Sequence, residues 1–214
     1  MPLRGDVFDP AVLPTKLRMS RPVRDMRCVH RFRNPDLWGA LLPPILHQRR
    51  RALDAARMYR SLCEAHGPQV STEAGPALLA PRPDTVAGLS DSAFNAIGLR
   101  GKAAPLRKIA SAYMDRATSW SGLSHGELYT ELLAVPGVGK WTAGIAIADV
   151  TNDFSFYAFS GLSTFTRWQE MFSAIESGLT ADEFKRTLER LNRHQLSTFV
   201  LLALASSSTT RGRG

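Results

Sequence analysis

Only two cysteines, Cys28 and Cys63, occur in 214 residues. That is too few for a disulfide framework, and neither sits in the clustered spacing of a zinc or iron–sulfur site, so no metal and no cofactor is expected. No apolar run is long enough to span a bilayer; residues 199–205 (Phe-Val-Leu-Leu-Ala-Leu-Ala) form the longest and read as a buried helix end. The opening Met1-Pro2-Leu3-Arg4 lacks the apolar core of a secretion signal. A cytoplasmic monomer with no membrane partner is the expectation. Strand patterns are sparse and no internal repeat is present.

Acidic residues are outnumbered, 19 against 27 Lys and Arg, which leaves a net charge of +8. The surplus is mostly arginine: Arg18, Arg21, Arg24, Arg27, Arg31 and Arg33 in one stretch, and Arg49-Arg50-Arg51 in another. A surplus of this kind suits a polyanion, because each neutralised phosphate releases counterions. By itself it identifies no partner.

Read for organisation, residues 1–33 carry four prolines and no clean period, and are expected to form an irregular basic arm. Asn34-Pro35 resembles an N-cap followed by proline at the first helical position. The helix begun there should end or kink at Pro43-Pro44. An apolar stripe predicts a helix over 52–65, and 69–84 reads as a loop. Further helices are expected over 90–97 and 103–117. Ser124 and Glu127 make a capping box that opens another. Helices are also expected at 141–150, 164–177, after a second capping box at Thr180 and Glu183, and over 196–205. The chain is therefore all-α, divided into the arm (1–33), a helical domain (34–205) and a disordered basic tail (206–214).

Between two of these helices lies Val135-Pro136-Gly137-Val138-Gly139-Lys140. Two glycines allow positive-φ turns and close approach of a ligand to the backbone. The following helix begins at the same point, so its unpaired N–H groups and dipole face whatever docks there. A phosphate suits such a site, and Lys140 adds a full charge. Contacts of this type position a protein on a duplex without reading its sequence.

The segment 132–143 closely resembles the hairpin of the helix-hairpin-helix DNA glycosylase superfamily, and residues 34–205 resemble that superfamily at large. The look is of the 3-methyladenine DNA glycosylase II type. Ile45-Leu46-His47-Gln48-Arg49 resembles the segment ending in a glutamine before the residue that fills the gap left by a flipped base. Leu89-Ser90-Asp91 and Gly98 through Ala103 resemble the stretch packed below the cleft. The resemblance implies a two-lobed helical fold with a cleft between its lobes. It implies a double-stranded DNA partner, base flipping, and hydrolysis of an N-glycosidic bond. A bacterial protein of this kind would be nucleoid-associated, and a phage-encoded one would act in the host cytoplasm.

On that resemblance Gly137, Gly139, Lys140, Thr142, Gln48 and Arg49 would contact DNA, with Gln48 or Arg49 filling the gap. Trp141, Tyr157 and His47 would line the base pocket. Trp141 stands where bifunctional members carry their Schiff-base lysine; tryptophan forms no imine, so the implied enzyme is monofunctional. The catalytic aspartate of the family is missing from residues 156–164, where Ser160 falls nearest its place. A hydroxyl cannot supply the negative charge that stabilises an oxocarbenium-like sugar. Displacement of the role to Asp153 or Asp149 is one alternative. Non-hydrolytic chemistry on a base is another, as in the phage thymine-hypermodification pyrophosphorylases that resemble glycosylases. A non-catalytic DNA-binding module is the third.

Overall fold

In a computed structural model of the chain, residues 4–158 and 181–210 are described. They pack as two units: residues 36–146 form one, and residues 1–35 together with 147–214 form the other.

The contiguous unit is nearly all helix. Its first helix, α3 (Leu37–His47), is capped by Asp36, whose carboxylate accepts from the N–H groups of Trp38 and Gly39 at 3.2 and 2.9 Å. Sequence reading had placed the cap at Asn34; Asp36 takes the role because its carboxylate reaches two unpaired helix donors at once. Pro43 and Pro44 lie inside α3 without ending it. An internal proline costs about 3 kcal/mol. On both sides of the pair, Trp38, Leu41, Leu42, Ile45 and Leu46 are buried, each contributing about 1.5–3 kcal/mol. Burial outweighs the lost backbone bonds, so the expected break does not occur.

After α4 (Ala52–His66), the stretch expected to be a loop forms an antiparallel pair, β3 (Gln69–Thr72) and β4 (Gly75–Leu78), turning at Gly75 with φ 111°. Helices α5 (Pro83–Gly88), α6 (Asp91–Ala96) and α7 (Ala103–Trp120) follow, with a 3-10 turn at Arg100–Lys102. The Ser124–Glu127 capping box is present in both directions and opens α8 (His125–Leu133). Helix α9 (Lys140–Thr151) gives its first half to this unit and its end to the other.

The second unit is built from both ends of the chain. The N-terminal stretch is more ordered than its prolines suggest. It contains β1 (Gly5–Phe8), α1 (Thr15–Arg18), α2 (Arg21–Arg24) and β2 (Val29–Phe32), with β1 and β2 antiparallel in the register Gly5 to Phe32. Phe8, Leu13, Leu17 and Val23 pack with Phe154, Phe184 and Phe199 in one core. The partners of this core come from the end of α9, α11 (Ala181–Glu189) and α12 (Arg193–Thr210). Helix α12 runs past residue 205, so residues 206–210 are helical rather than a disordered tail. The expected helix over 164–177, and Thr180 of the second capping box, lie outside the described residues.

A polar cluster ties this second unit together. Arg33 forks onto Asp6 at 2.7 and 2.8 Å, and Asn152, at φ 60°, donates to the same carboxylate at 2.7 Å. Arg31 bonds Asn152 and Asp149, and Asn34 donates to Asp149 at 2.9 Å. Asp149 is therefore a structural anchor. The Arg33 guanidinium holds the Asp6 carboxyl below its ordinary value, opposed by burial and aided by Asn152. A depressed native pKa means the unfolded chain binds more protons. The contribution is complete above the unfolded aspartate value of about 3.9 and is lost as pH falls through the native one. The stability difference between wild type and Asp6→Asn, read as urea midpoints, should be at most about 1 kcal/mol near neutral pH and should close below about pH 4.

Candidate nucleic-acid interface

Helix α8 ends at Ala134, the C-cap, and the N–H of Val138 returns to Val135 O at 3.0 Å, which closes the turn of the hairpin. The two glycines do different work here. Gly137 has φ 96° and requires glycine for its backbone conformation. Gly139 has no positive φ, and a Cβ built on it would meet nothing within 4 Å. Its carbonyl accepts the first bond of α9, from Ala143 N at 3.0 Å, so Gly139 is the N-cap. Nothing inside the protein explains a glycine at this place; a bare backbone beside exposed Lys140 leaves open approach to the start of α9.

The amide of Gln48 closes this hairpin onto the end of α3. Its Nε2 donates to Gly137 O and to Thr142 Oγ1, both at 2.9 Å. Thr142 is buried, so its hydroxyl faces inward and only its backbone N–H can be offered to a phosphate. Arg49, the next residue, is exposed and adopts φ 55°, and Arg50 and Arg51 are exposed beside it.

Beneath this corner is a cavity of about 330 Å³, lined by Pro43, Pro44, His47, Ala55, Tyr59 and Trp141 among others. The His47 and Trp141 rings are 5.3 Å apart and tilted. Tyr59 is pushed up to about 12, chiefly by burial and then by the Cys63 thiol it hydrogen-bonds, so it stays a neutral phenol. The walls are apolar with a few hydrogen-bonding groups, a lining suited to a flat aromatic ligand.

Sequence reasoning therefore placed Gln48, His47, Gly137, Gly139, Lys140, Trp141 and Thr142 on elements that the fold brings together. It missed Lys102. This lysine is only 7% exposed, and its Nζ donates to Ile45 O at 2.9 Å and Gln48 O at 2.8 Å. A signal existed: Lys102 is in helical register with Leu106, Ile109 and Ala110, an apolar stripe, and a lysine there must find buried acceptors. Tyr59 had been read only as part of an apolar stripe.

The remaining expected residues belong elsewhere. Tyr157 packs against the core of the second unit. Asp153 lies in that unit too, paired with Arg193 and accepting from the Ser155 N–H and hydroxyl. Ser160 lies outside the described residues. Among the described residues no group of three or more His, Cys, Asp or Glu is placed to hold a metal, and no helix is long and apolar enough to cross a membrane.

The architecture is that of the helix-hairpin-helix DNA glycosylases: almost wholly helical, with two small antiparallel strand pairs. No protein-family model matches the chain, and no curated protein matches it in sequence. Solved structures do. A 3-methyladenine DNA glycosylase from Archaeoglobus fulgidus matches with a TM-score of 0.61 at 17% identity, over 80% of this chain and 59% of that one. The 8-oxoguanine glycosylase/lyase of Clostridium acetobutylicum, in complex with double-stranded DNA containing cytosine opposite 8-oxoguanine, matches with a TM-score of 0.63 at 15% identity, over 83% and 62%. The chain thus spans about three-fifths of the length of these glycosylases, and the likeness is one of fold.

The contrast between the two glycines can be measured on the protein alone. Gly137→Ala should destabilise by about 1–2 kcal/mol through its backbone conformation. Gly139→Ala should stay within about 0.5 kcal/mol, a poorer cap being offset by a stiffer unfolded chain. Equal losses in thermal or urea melts would contradict this division.

Proposed function

We propose that this protein docks on double-stranded DNA through the hairpin at 135–140 and takes one modified or damaged base into the cavity beside Trp141. The carrying observation is Gly139, where a Cβ would meet nothing within 4 Å at the start of α9, beside Lys140. Backbone N–H groups and the helix dipole can then approach a phosphate with no side chain intervening. The cavity supports the second half of the reading: an apolar slot between a tryptophan and a histidine can stack an extruded base.

Hydrolysis of the N-glycosidic bond is the chemistry that the family resemblance adds. If the base is released, the strand stays intact, because the Trp141 indole forms no imine with the abasic sugar. Against hydrolysis by Asp153 stands its pairing with Arg193, which gives its carboxylate a cation to neutralise it. That pairing favours the second reading, a DNA-binding protein that extrudes or senses a base without cleaving its bond by that residue.

Binding to a fluorescent duplex in rising salt tests the docking. Affinity should fall steeply with salt, and Lys140→Glu should weaken it about tenfold or more while reducing the salt slope by about 1. Salt-independent affinity, or no loss in the variant, would sink the proposal. Incubation with duplexes carrying alkylated, deaminated, oxidised or hypermodified bases separates the two readings. Free base indicates hydrolysis, and tight complexes with every base retained indicate binding alone. In the latter case Ser160→Asp should confer measurable base release if the serine stands at the family's carboxylate position.

A further inference from the structure

We propose that Gln48, held in place by the buried Lys102, is a positioning residue that couples docking at the hairpin to insertion of Arg49 into the base stack. The proposal rests on the docking reading above and goes beyond it by assigning the inserted residue and the device that drives it.

The corner at 48–51 is backbone-strained and yet firmly held. Arg49, at φ 55°, occupies the left-handed region that side chains other than glycine seldom adopt. Three sets of bonds fix it. The Gln48 N–H returns to Pro44 O at 3.2 Å and the Arg50 N–H to His47 O at 3.0 Å. Lys102 Nζ clamps Ile45 O and Gln48 O. The Gln48 amide reaches across to Gly137 O and Thr142 Oγ1.

Lys102 is an unusual choice for this clamp. Its ion pairs among the described residues are none, and burial, with Arg50 and Arg49 nearby, lowers its pKa from the ordinary lysine value. An apolar side chain of similar length would fill the space without burying a charge. What the ammonium adds is a pair of charge-assisted bonds at the negative end of the α3 dipole. Those bonds fix the carbonyl of Gln48, and through it the direction in which the chain leaves toward Arg49.

Gln48 itself is occupied. Its amide nitrogen is committed to two acceptors that flank the start of α9, one on the turn and one in the first helical turn. It cannot fill a gap in the stack without breaking both. Arg49 is exposed, strained and adjacent, so it is the residue presented to DNA. Because the Gln48 amide spans the point where a phosphate would dock, a shift of the hairpin on docking passes to residue 48 and then to 49.

The test uses a duplex with 2-aminopurine, whose emission rises on unstacking, at saturating protein so that every duplex is bound whatever the affinity. Wild type should raise the emission, and Arg49→Ala should return it most of the way to the free-duplex level. Gln48→Leu and Lys102→Met should each cut the rise at least about threefold, and Lys102→Arg should restore it. The double variant Gln48→Leu with Arg49→Ala should be no worse than Arg49→Ala, the non-additivity expected of residues acting as one unit. Wild-type emission from saturated Gln48→Leu complexes would overturn the coupling, as would strictly additive losses. Gln48→Leu decides alone if Lys102→Met does not fold. Flat wild-type emission with salt-dependent binding would overturn Arg49 insertion while leaving hairpin docking intact, whereas absence of salt-dependent binding would remove the docking reading itself.

Discussion

The buried ammonium of Lys102, bonded to the carbonyls that end α3, is the constraint from which the geometry of the 36–146 unit follows. A helix leaves its last carbonyls without intrahelical donors, and a buried helix end must find them elsewhere. Here a side chain from the start of α7 supplies them. That exchange fixes where α3 stops and which way Gln48 faces. It places an arginine in a left-handed turn at the next position. The hairpin is then joined to the same corner by a single amide. Cavity, hairpin and exposed arginines are thus arranged around one satisfied helix terminus.

Several elements could be read directly from sequence because their determinants are local. The capping box at Ser124 and Glu127 satisfies its own donors within one turn, and the helix it opens begins where the pattern places it. The Pro-Gly-Val-Gly-Lys turn carries its own signal. The Pro43-Pro44 pair misled because the penalty for an internal proline is local and visible, whereas the burial that overcomes it is tertiary. The strands were missed for a related reason. Each is four residues long, and β1 pairs with a partner more than twenty positions away with no tight turn between them.

The site divides in the same manner. Lys140 and the glycines were legible because the chemistry of a helix start is written in consecutive residues. The engagement of Gln48, the burial of Lys102 and the pairing of Asp153 with Arg193 depend on partners forty or more positions away, which no local spacing announces. Charge was also read too generously in one place. Arg31 and Arg33, counted in the basic stretch that suggested a polyanion partner, are bound to Asp149 and Asp6. The exposed run at 49–51 and Lys140 carry that argument instead.

That one unit is made from the two ends of the chain has a bearing on how the protein is synthesised. The 36–146 segment is contiguous and can collapse as it emerges from the ribosome. The first 35 residues cannot follow the same course. Phe8, Leu13, Leu17 and Val23 are made early, but the core they join includes Phe154, Phe184 and Phe199, which come much later. Closing so long a separation is entropically slow. During translation the N-terminal stretch must therefore wait with its apolar face uncovered, an interval in which a nascent chain is open to chaperone capture and to aggregation.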